Sequence, residues 1–354
     1  MSRLGPWLDV DLGALVRNAR AYARAVGVPL LPMVKANGYG LGAVPVALAL
    51  DEVNPWGFGV ATLTEAETLR RAGIDRPIIA FIPMRPEQVD ECLAVDARPV
   101  LGSIAALEAW TSRTDRPFHV EIDTGMGRSG FRWHDVEALG ALRARLPALP
   151  GWEGIFTHFS SSDTSAEVTA TQWTRFESVL GELPRRPALV HAANSAAGQW
   201  GPRYAGNLAR PGIFLYGGRA GQLTPEPVAW LQAVVHAVRP IRRGDPVSYG
   251  ETWRAAEDGE VVTLGIGYAD GVLRSLSNRG LIGLGAETFR ISGRVTMDMV
   301  MVVTPPGRAR VGDVATVFGG PIGLDDQADR AETISYELLT AVGHRVVRRY
   351  GGEP

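Results

Sequence analysis

From about residue 30 to 217 the chain repeats one hydrophobic pattern. Short apolar runs (LLPMVKAN, WGFGVAT, PIIAFIP, ARPVLGS, FHVEIDTG, WEGIFTHFS, ALVHAANS and NLARPGIFLYG) alternate with amphipathic segments such as LTEAETLRRAG, PEQVDECLAV, HDVEALGALRARL and TATQWTRFESVLGEL. Runs rich in Val, Ile and Phe read as parallel strands covered on both faces, and the segments between them as the covering helices. Eight such units predict an α/β fold, a (β/α)8 TIM-like barrel, for which about 200–250 residues is an ordinary size. After about residue 222 the texture changes. AVVHAVRPI, GEVVTLGIG, TFRISGRVTMDMVMVV and DVATVFG are separated by Gly, Pro and Asp, and TISYELLTAVG near the end reads as a short helix. This predicts a mostly β second domain. The expected division is 1–222 for the barrel, with the first strand free to join the other domain, and 223–354 for the C-terminal β domain.

Length and charge narrow the class. A chain of 354 residues exceeds a typical single core, which agrees with two domains. The formal net charge of −2 offers no basic field for nucleic acid. No stretch is long and apolar enough to span a membrane, and the N-terminus lacks an apolar signal core. With one cysteine, Cys92, no intrachain disulfide can form, so a reducing cytoplasmic location is expected. No metal-ligand spacing stands out.

The chemistry begins with the basic residues. Of 36 lysines and arginines, one is a lysine, Lys35, at the end of an apolar run and hence at an expected strand tip. Arginine cannot attack a carbonyl; a lysine amine can lose its proton and form an imine. The polar residues Lys35, Asp123, Arg128, His158, Asn194, Ser195 and Arg210 all fall at the C-terminal ends of runs, where barrel active sites form. Two classes follow: a Schiff-base aldolase, or an enzyme holding pyridoxal phosphate (PLP). HAANSAAG and RPGI offer backbone N–H groups at tight turns, suited to a phosphate.

At this point the chain resembles the bacterial alanine racemases, PLP enzymes with a barrel and a C-terminal β domain. The segments VKANGYGLG, DTGMGRSG, THFS, HAANSAA, RPGIFLYG, VSYGETW, GYADG, GRVTMD and TISYEL carry the likeness in order along nearly the whole chain. The resemblance implies that Lys35 holds PLP and is one catalytic base. Tyr249, from the other subunit of a homodimer, is implied as the second. Tyr39, Ser195, Gly212, Ile213 and Tyr336 would hold the phosphate. Arg128 would meet the cofactor O3′ and the substrate carboxylate, and Arg210 the pyridine nitrogen with His158 beside it. Met297 would offer its backbone N–H to the substrate carboxylate. Tyr268, Arg274 and Asp298 would line the entrance or support it. The implied activity interconverts L- and D-alanine by a two-base route, supplying D-alanine for peptidoglycan. Spacing alone would leave Tyr249 a packed tyrosine, His158 a core histidine, Arg128 a surface ion-pair partner and Asp298 a strand cap.

Two physical points accompany that reading. Unperturbed lysine and tyrosine titrate near about 10, so both bases need lowering, and Arg128 is a candidate cause for Lys35. Arginine at the ring nitrogen cannot readily give up a proton, which weakens the ring as an electron sink and disfavours transamination. The chain departs from part of the family at Glu121, where some members carry a carbamylated lysine that orients the arginine. Glu121 is expected to supply that negative charge to Arg128 directly. The rival functions are a broader serine/alanine racemase, a barrel-type PLP decarboxylase, a non-catalytic PLP carrier and the PLP-free aldolase.

Overall fold

The computed structural model describes residues 5–352. Strand β1 (Trp7–Asp11) leads into a helix, Leu12–Val26, whose start is fixed by Asp11: its carboxylate accepts the Ala14 N–H at 2.8 Å. Leu15, Ala19, Tyr22 and Val26 recur on one face of that helix and are buried, while Gly27 at φ 69° ends it. The barrel strands follow: β2 (Phe58–Val60), β3 (Ile78–Ala80), β4 (Arg98–Leu101), β5 (Phe118–Asp123), β7 (Trp152–Phe156) and β8 (Leu189–His191), all parallel neighbours in that order. A two-residue strand β6 (Phe131–Arg132) returns beside β5. Helices 63–71, 89–94, 104–111, 136–145 and 166–181 cover the outside, and all four expected helical segments appear where their periodicity placed them.

Eight units close the barrel, but the first and last are not regular strands. Residues 30–34 bond on both sides, Leu31 N–H to Ala209 O and Val34 N–H to Gly59 O, and join 208–211 through Met33 N–H to Pro211 O. Pro29, Pro32 and Pro211 lack the N–H a continuous ladder needs, so these segments form bridges rather than strands. Lys35 therefore ends an extended, doubly paired segment, not a regular strand. Leu31, Ile79, Val100, Phe156 and Leu208 form a buried cluster of their own, one residue from each of five barrel segments. Each such side chain contributes about 1.5–3 kcal/mol on burial.

The C-terminal domain is built on the long strand β9 (Ala229–Ile241). Around it lie β10 (Gly259–Leu264), β11 (Leu281–Leu284), β12 (Glu287–Arg290), β13 (Val300–Thr304), β14 (Val314–Phe318) and β15 (Val347–Gly351). β1 is inserted between β9 and β15, so the start of the chain stitches the second domain. The run TFRISGRVTMDMVMVV divides into β12 and β13; residues 291–299 between them form a loop that carries Met297. TISYEL supplies a short helix, Ser335–Thr340. Among the described residues, no helix is long and apolar enough to cross a membrane.

Candidate active site

At the C-terminal mouth of the barrel, one cavity is lined by Lys35, Tyr39, Arg128, His158, Ser195, Arg210, Gly212 and Tyr336, together with Met33, Phe81, Phe156 and Asn194. Ile213 lies fully buried beside Gly212. Residues from Met33 to Tyr336 meet here: most close or follow a barrel segment, and Tyr336 comes from the helix Ser335–Thr340 of the C-terminal domain.

Lys35 enters the cavity from an unusual backbone. Ala36, Asn37, Gly38 and Tyr39 have φ of 53°, 55°, 60° and 52°, one turn of left-handed helix. A non-glycine residue there costs roughly 1–2 kcal/mol. The turn is held by Gly38 N–H to Val34 O, Gly40 N–H to Ala36 O, Gly42 N–H to Asn37 O and Ala43 N–H to the Asn37 side chain. Glu65 adds a bond from outside: its carboxylate accepts Ala36 N–H at 2.7 Å while also accepting Ala61 N–H and closing the capping box of its own helix with Thr62. Burial lowers the Lys35 amine from its ordinary value; the Arg128 and Arg210 charges push the same way and Glu65 opposes them. Such an amine gives up its proton more readily than a surface lysine.

The opposite wall is a row of donors. Ser195 Oγ accepts the Gly212 N–H at 2.8 Å and the Phe214 N–H at 3.3 Å, which leaves its own proton to be donated. Tyr39 stacks on Tyr216 (4.3 Å between centroids, 19°) and tilts against Tyr336 at 5.9 Å. Burial raises Tyr39 far above an ordinary phenol, and burial with the Asp163 and Asp325 charges lifts Tyr336 to about 12, so both hydroxyls keep their protons. Gly212 makes the close approach possible: a Cβ there would stand 2.2 Å from the Tyr39 hydroxyl oxygen. Asn194 shapes the turn by accepting the Ala196 and Ala197 N–H groups, so HAANSAAG ends in a 3-10 turn, Ala197–Gln199, rather than a helix.

Arg210 is buried at the base of the cavity. It donates to the Thr157 and Ala192 carbonyls at 2.9 and 3.1 Å and to His191 Nδ1 at 2.8 Å; His158 Nδ1 lies 3.4 Å away. Burial brings Arg210 down to about 10, still charged at neutral pH. Burial and the Arg210, Arg128 and Lys35 charges drive His158 down to about 3, so it is neutral. Arg128 rides on a glycine loop whose Gly125 and Gly127 N–H groups are gathered by Asp123. Glu121 is buried beneath it. Burial raises the carboxyl above its usual range, against a bond with Ser129 and the Arg128 charge. Its Oε1 is 3.9 Å from Arg128 and its Oε2 has no partner.

Tyr249, Tyr268, Arg274, Met297 and Asp298 are brought together elsewhere. Tyr268 N–H bonds Thr296 O, Ala269 N–H bonds Met297 O, and the Ser248 hydroxyl bonds Arg294 O, so the Tyr249, Tyr268 and Met297 loops form one face of the C-terminal domain. Arg345 pins that face by bridging Asp270 and Asp298. Tyr249 is 71% exposed and Met297 53%. None of these residues lines the Lys35 cavity of the same chain.

Several contributors escaped the sequence reading. Asn194 was placed at a strand end, within HAANSAA, but without a role of its own. The Thr62-x-x-Glu65 spacing is a signal from which Glu65 could have been found as a helix cap, yet its bond to Ala36 joins two units and has no local signature. Met33, Phe81 and Phe156 read simply as core.

Comparison with known proteins identifies this architecture. The alanine racemase N-terminal domain matches residues 10–220 and the alanine racemase C-terminal domain matches 228–350. An alanine racemase of Symbiobacterium thermophilum is 38% identical over 98% of this chain and 97% of its own length; one from Deinococcus radiodurans is 37% identical over 97% and 98%. Among solved structures, the alanine racemase from E. faecalis superposes with a TM-score of 0.90 at 33% identity, covering 98% of each chain. The Bartonella henselae alanine racemase, solved with covalently bound pyridoxal phosphate, gives 0.91 at 29% identity over 98% of this chain and 99% of that one. Sequence, fold and site thus agree: the chain belongs to the alanine racemase family.

Proposed function

We propose that this chain is a PLP-dependent racemase that interconverts L- and D-alanine, as a cytoplasmic homodimer supplying D-alanine for peptidoglycan. The observation that carries the reading is Lys35, a single lysine with a lowered pKa, facing a row of protonated hydroxyls and N–H groups across one cavity. The residues fit the cofactor. Ser195, Tyr39, Tyr336 and the Gly212–Ile213 turn make a cradle for a phosphate, which a Cβ at residue 212 would fill. Lys35 would bind the aldehyde, and Arg210 would donate to the ring nitrogen. Bound in this way, PLP makes the Cα–H of a captured amino acid acidic.

The chain's own residues then have distinct tasks. Arg128 attracts the substrate carboxylate and helps keep the Lys35 amine neutral enough to take a proton. Arg210 can only donate, so it leaves the ring nitrogen unprotonated and limits side reactions. Lys35 removes or returns a proton on one face of Cα. The other face needs a second base, and the cavity tyrosines Tyr39 and Tyr336 hold their protons too tightly to serve. The partner subunit's Tyr249 supplies it, because that residue stands exposed on a face that otherwise lacks a purpose. Two bases on opposite faces invert configuration directly. Glu121 counters the charge of Arg128 from below.

The test is turnover of L-alanine in heavy water with and without PLP, following optical rotation and deuterium at Cα. PLP-dependent loss of rotation with deuterium uptake is expected. Deuterium uptake with retained configuration would remove Tyr249 from the mechanism, and no exchange at all would remove alanine as substrate.

A further inference from the structure

β7 carries one residue too many against β5. Phe118 pairs with Trp152 and His119 with Gly154, so Glu153 is the extra residue of a bulge. Bulges re-aim side chains. Glu153 is aimed at His119, with His119 Nε2 3.1 Å from its Oε2; Arg98 Nε donates to the same oxygen at 2.7 Å. The neighbouring Gly154 makes room, because a Cβ there would stand 2.1 Å from the His119 ring. On its other side His119 Nδ1 lies 2.9 Å from His191 Nε2, and His191 Nδ1 receives Arg210 at 2.8 Å. An unbroken hydrogen-bonded line therefore runs from Arg210, at the cavity, to a carboxylate away from it.

The two ends dictate every proton between them. A guanidinium only donates, so His191 Nδ1 is bare and its proton is on Nε2. That proton must be given to His119 Nδ1, which is bare in turn, leaving Nε2–H of His119 to meet Glu153. Burial holds both histidines below their ordinary values, so neither adds a second proton. A carboxylate, which only accepts, is the group that closes such a line.

We propose that Glu153 is a positioning residue for Arg210, acting through His119 and His191. It accepts the last proton of the line, so that the tautomers set from Arg210 are held at both ends, and it keeps Arg210 in one plane so that its remaining donors face the cavity. The purpose rests on the reading of Arg210 at the cofactor ring nitrogen; the line of bonds does not.

The experiment is solid-state NMR of the holoenzyme labelled with [15N]histidine, each signal assigned by its loss in His119→Asn or His191→Asn. Both side chains are expected as Nε2–H tautomers that ignore pH through the neutral range. A proton on either Nδ1, or an imidazolium, overturns the proposal without any variant at 153. In Glu153→Leu, checked for folding by its melting temperature, the His119 tautomer should become mixed. PLP affinity and kcat/KM should each fall about tenfold, the size seen when an orienting partner behind a ligand-holding group is lost. Glu153→Gln, whose amide oxygen still accepts, should restore the tautomers and most of the activity. A folded Glu153→Leu with unchanged histidine signals or unchanged PLP affinity refutes the positioning role. The cofactor absorption band should shift in Arg210→Gln; an indifferent band with ordered tautomers overturns the placement of Arg210, and with it the purpose of the line.

Discussion

At the barrel mouth Tyr39 is 5% exposed, stacked on Tyr216 and backed by Gly212; on the C-terminal domain Tyr249 is 71% exposed and lies outside the Lys35 cavity. The same residue type is sealed in one region and left open in the other. In the barrel half Arg210, His119, His191 and Ser195 have partners within the chain, and the buried Glu121 Oε2 is the exception. The C-terminal face holds its loops firmly, through Arg345 and the Ser248–Arg294 bond, yet presents Tyr249, Tyr268 and Met297 outward. A rigid face with exposed aromatic and apolar side chains is built to be completed by another surface. We read the two regions as complementary halves of one site, shared between two copies of the chain.

The most severe challenge to the comparison is Lys35→Arg. It keeps the charge and removes the nucleophile, so turnover should vanish and borohydride should no longer fix PLP to the chain. Next comes Tyr249→Phe, expected to lower turnover by about 10²–10⁴ while PLP binding is kept. Mixing Lys35→Arg and Tyr249→Phe chains should rebuild whole sites in heterodimers, to about a quarter of the wild-type number after random exchange. A mixture as inactive as its components would break the shared-site reading.

Acid should expose the barrel half first. His158 is held near 3 and His191 and His119 are also lowered, while an unfolded histidine titrates near about 6.5. As pH falls below that value the unfolded chain binds protons that the folded chain refuses. Each histidine then costs up to about 1.4 kcal/mol per pH unit until its folded pKa is reached. Denaturant unfolding between neutral and mildly acidic pH measures this, and His158→Asn should make the fall shallower.

Gly212→Ala sharpens the cradle. The added methyl meets Tyr39, and overpacking of this kind costs about 1–3 kcal/mol, to be read as weaker PLP binding with little change in the C-terminal domain. The smallest effect is expected at Glu121→Gln, a loss of about 1 kcal/mol or roughly fivefold in rate, partly restored by chloride. An unaffected rate would mean that the 3.9 Å approach to Arg128 carries no orienting role.

Much of this was legible beforehand, for identifiable reasons. Barrel strands buried on both faces write themselves as apolar runs, and their helices as a 3.6-residue period. Lys35 stood out because an arginine-rich chain spared one lysine. What was not legible depends on contacts between units: the left-handed turn after Lys35, the double use of Glu65, and the bulge that turns Glu153 toward His119. His119 in FHVEIDTG and Glu153 in WEGIF look like ordinary polar interruptions of a strand, since a register shift is a property of two strands and appears in neither alone.

The sequence by itself determined the two-domain plan, the covalent chemistry available at residue 35 and the set of groups at the strand ends, because local periodicity and residue type carry that information. Tertiary structure decided which of those groups share a cavity, how far burial and neighbouring charges move their protons, and that Tyr249 and Met297 stand exposed outside the Lys35 cavity of a single chain. Distance, desolvation and exposure arise only when segments far apart in sequence are packed together.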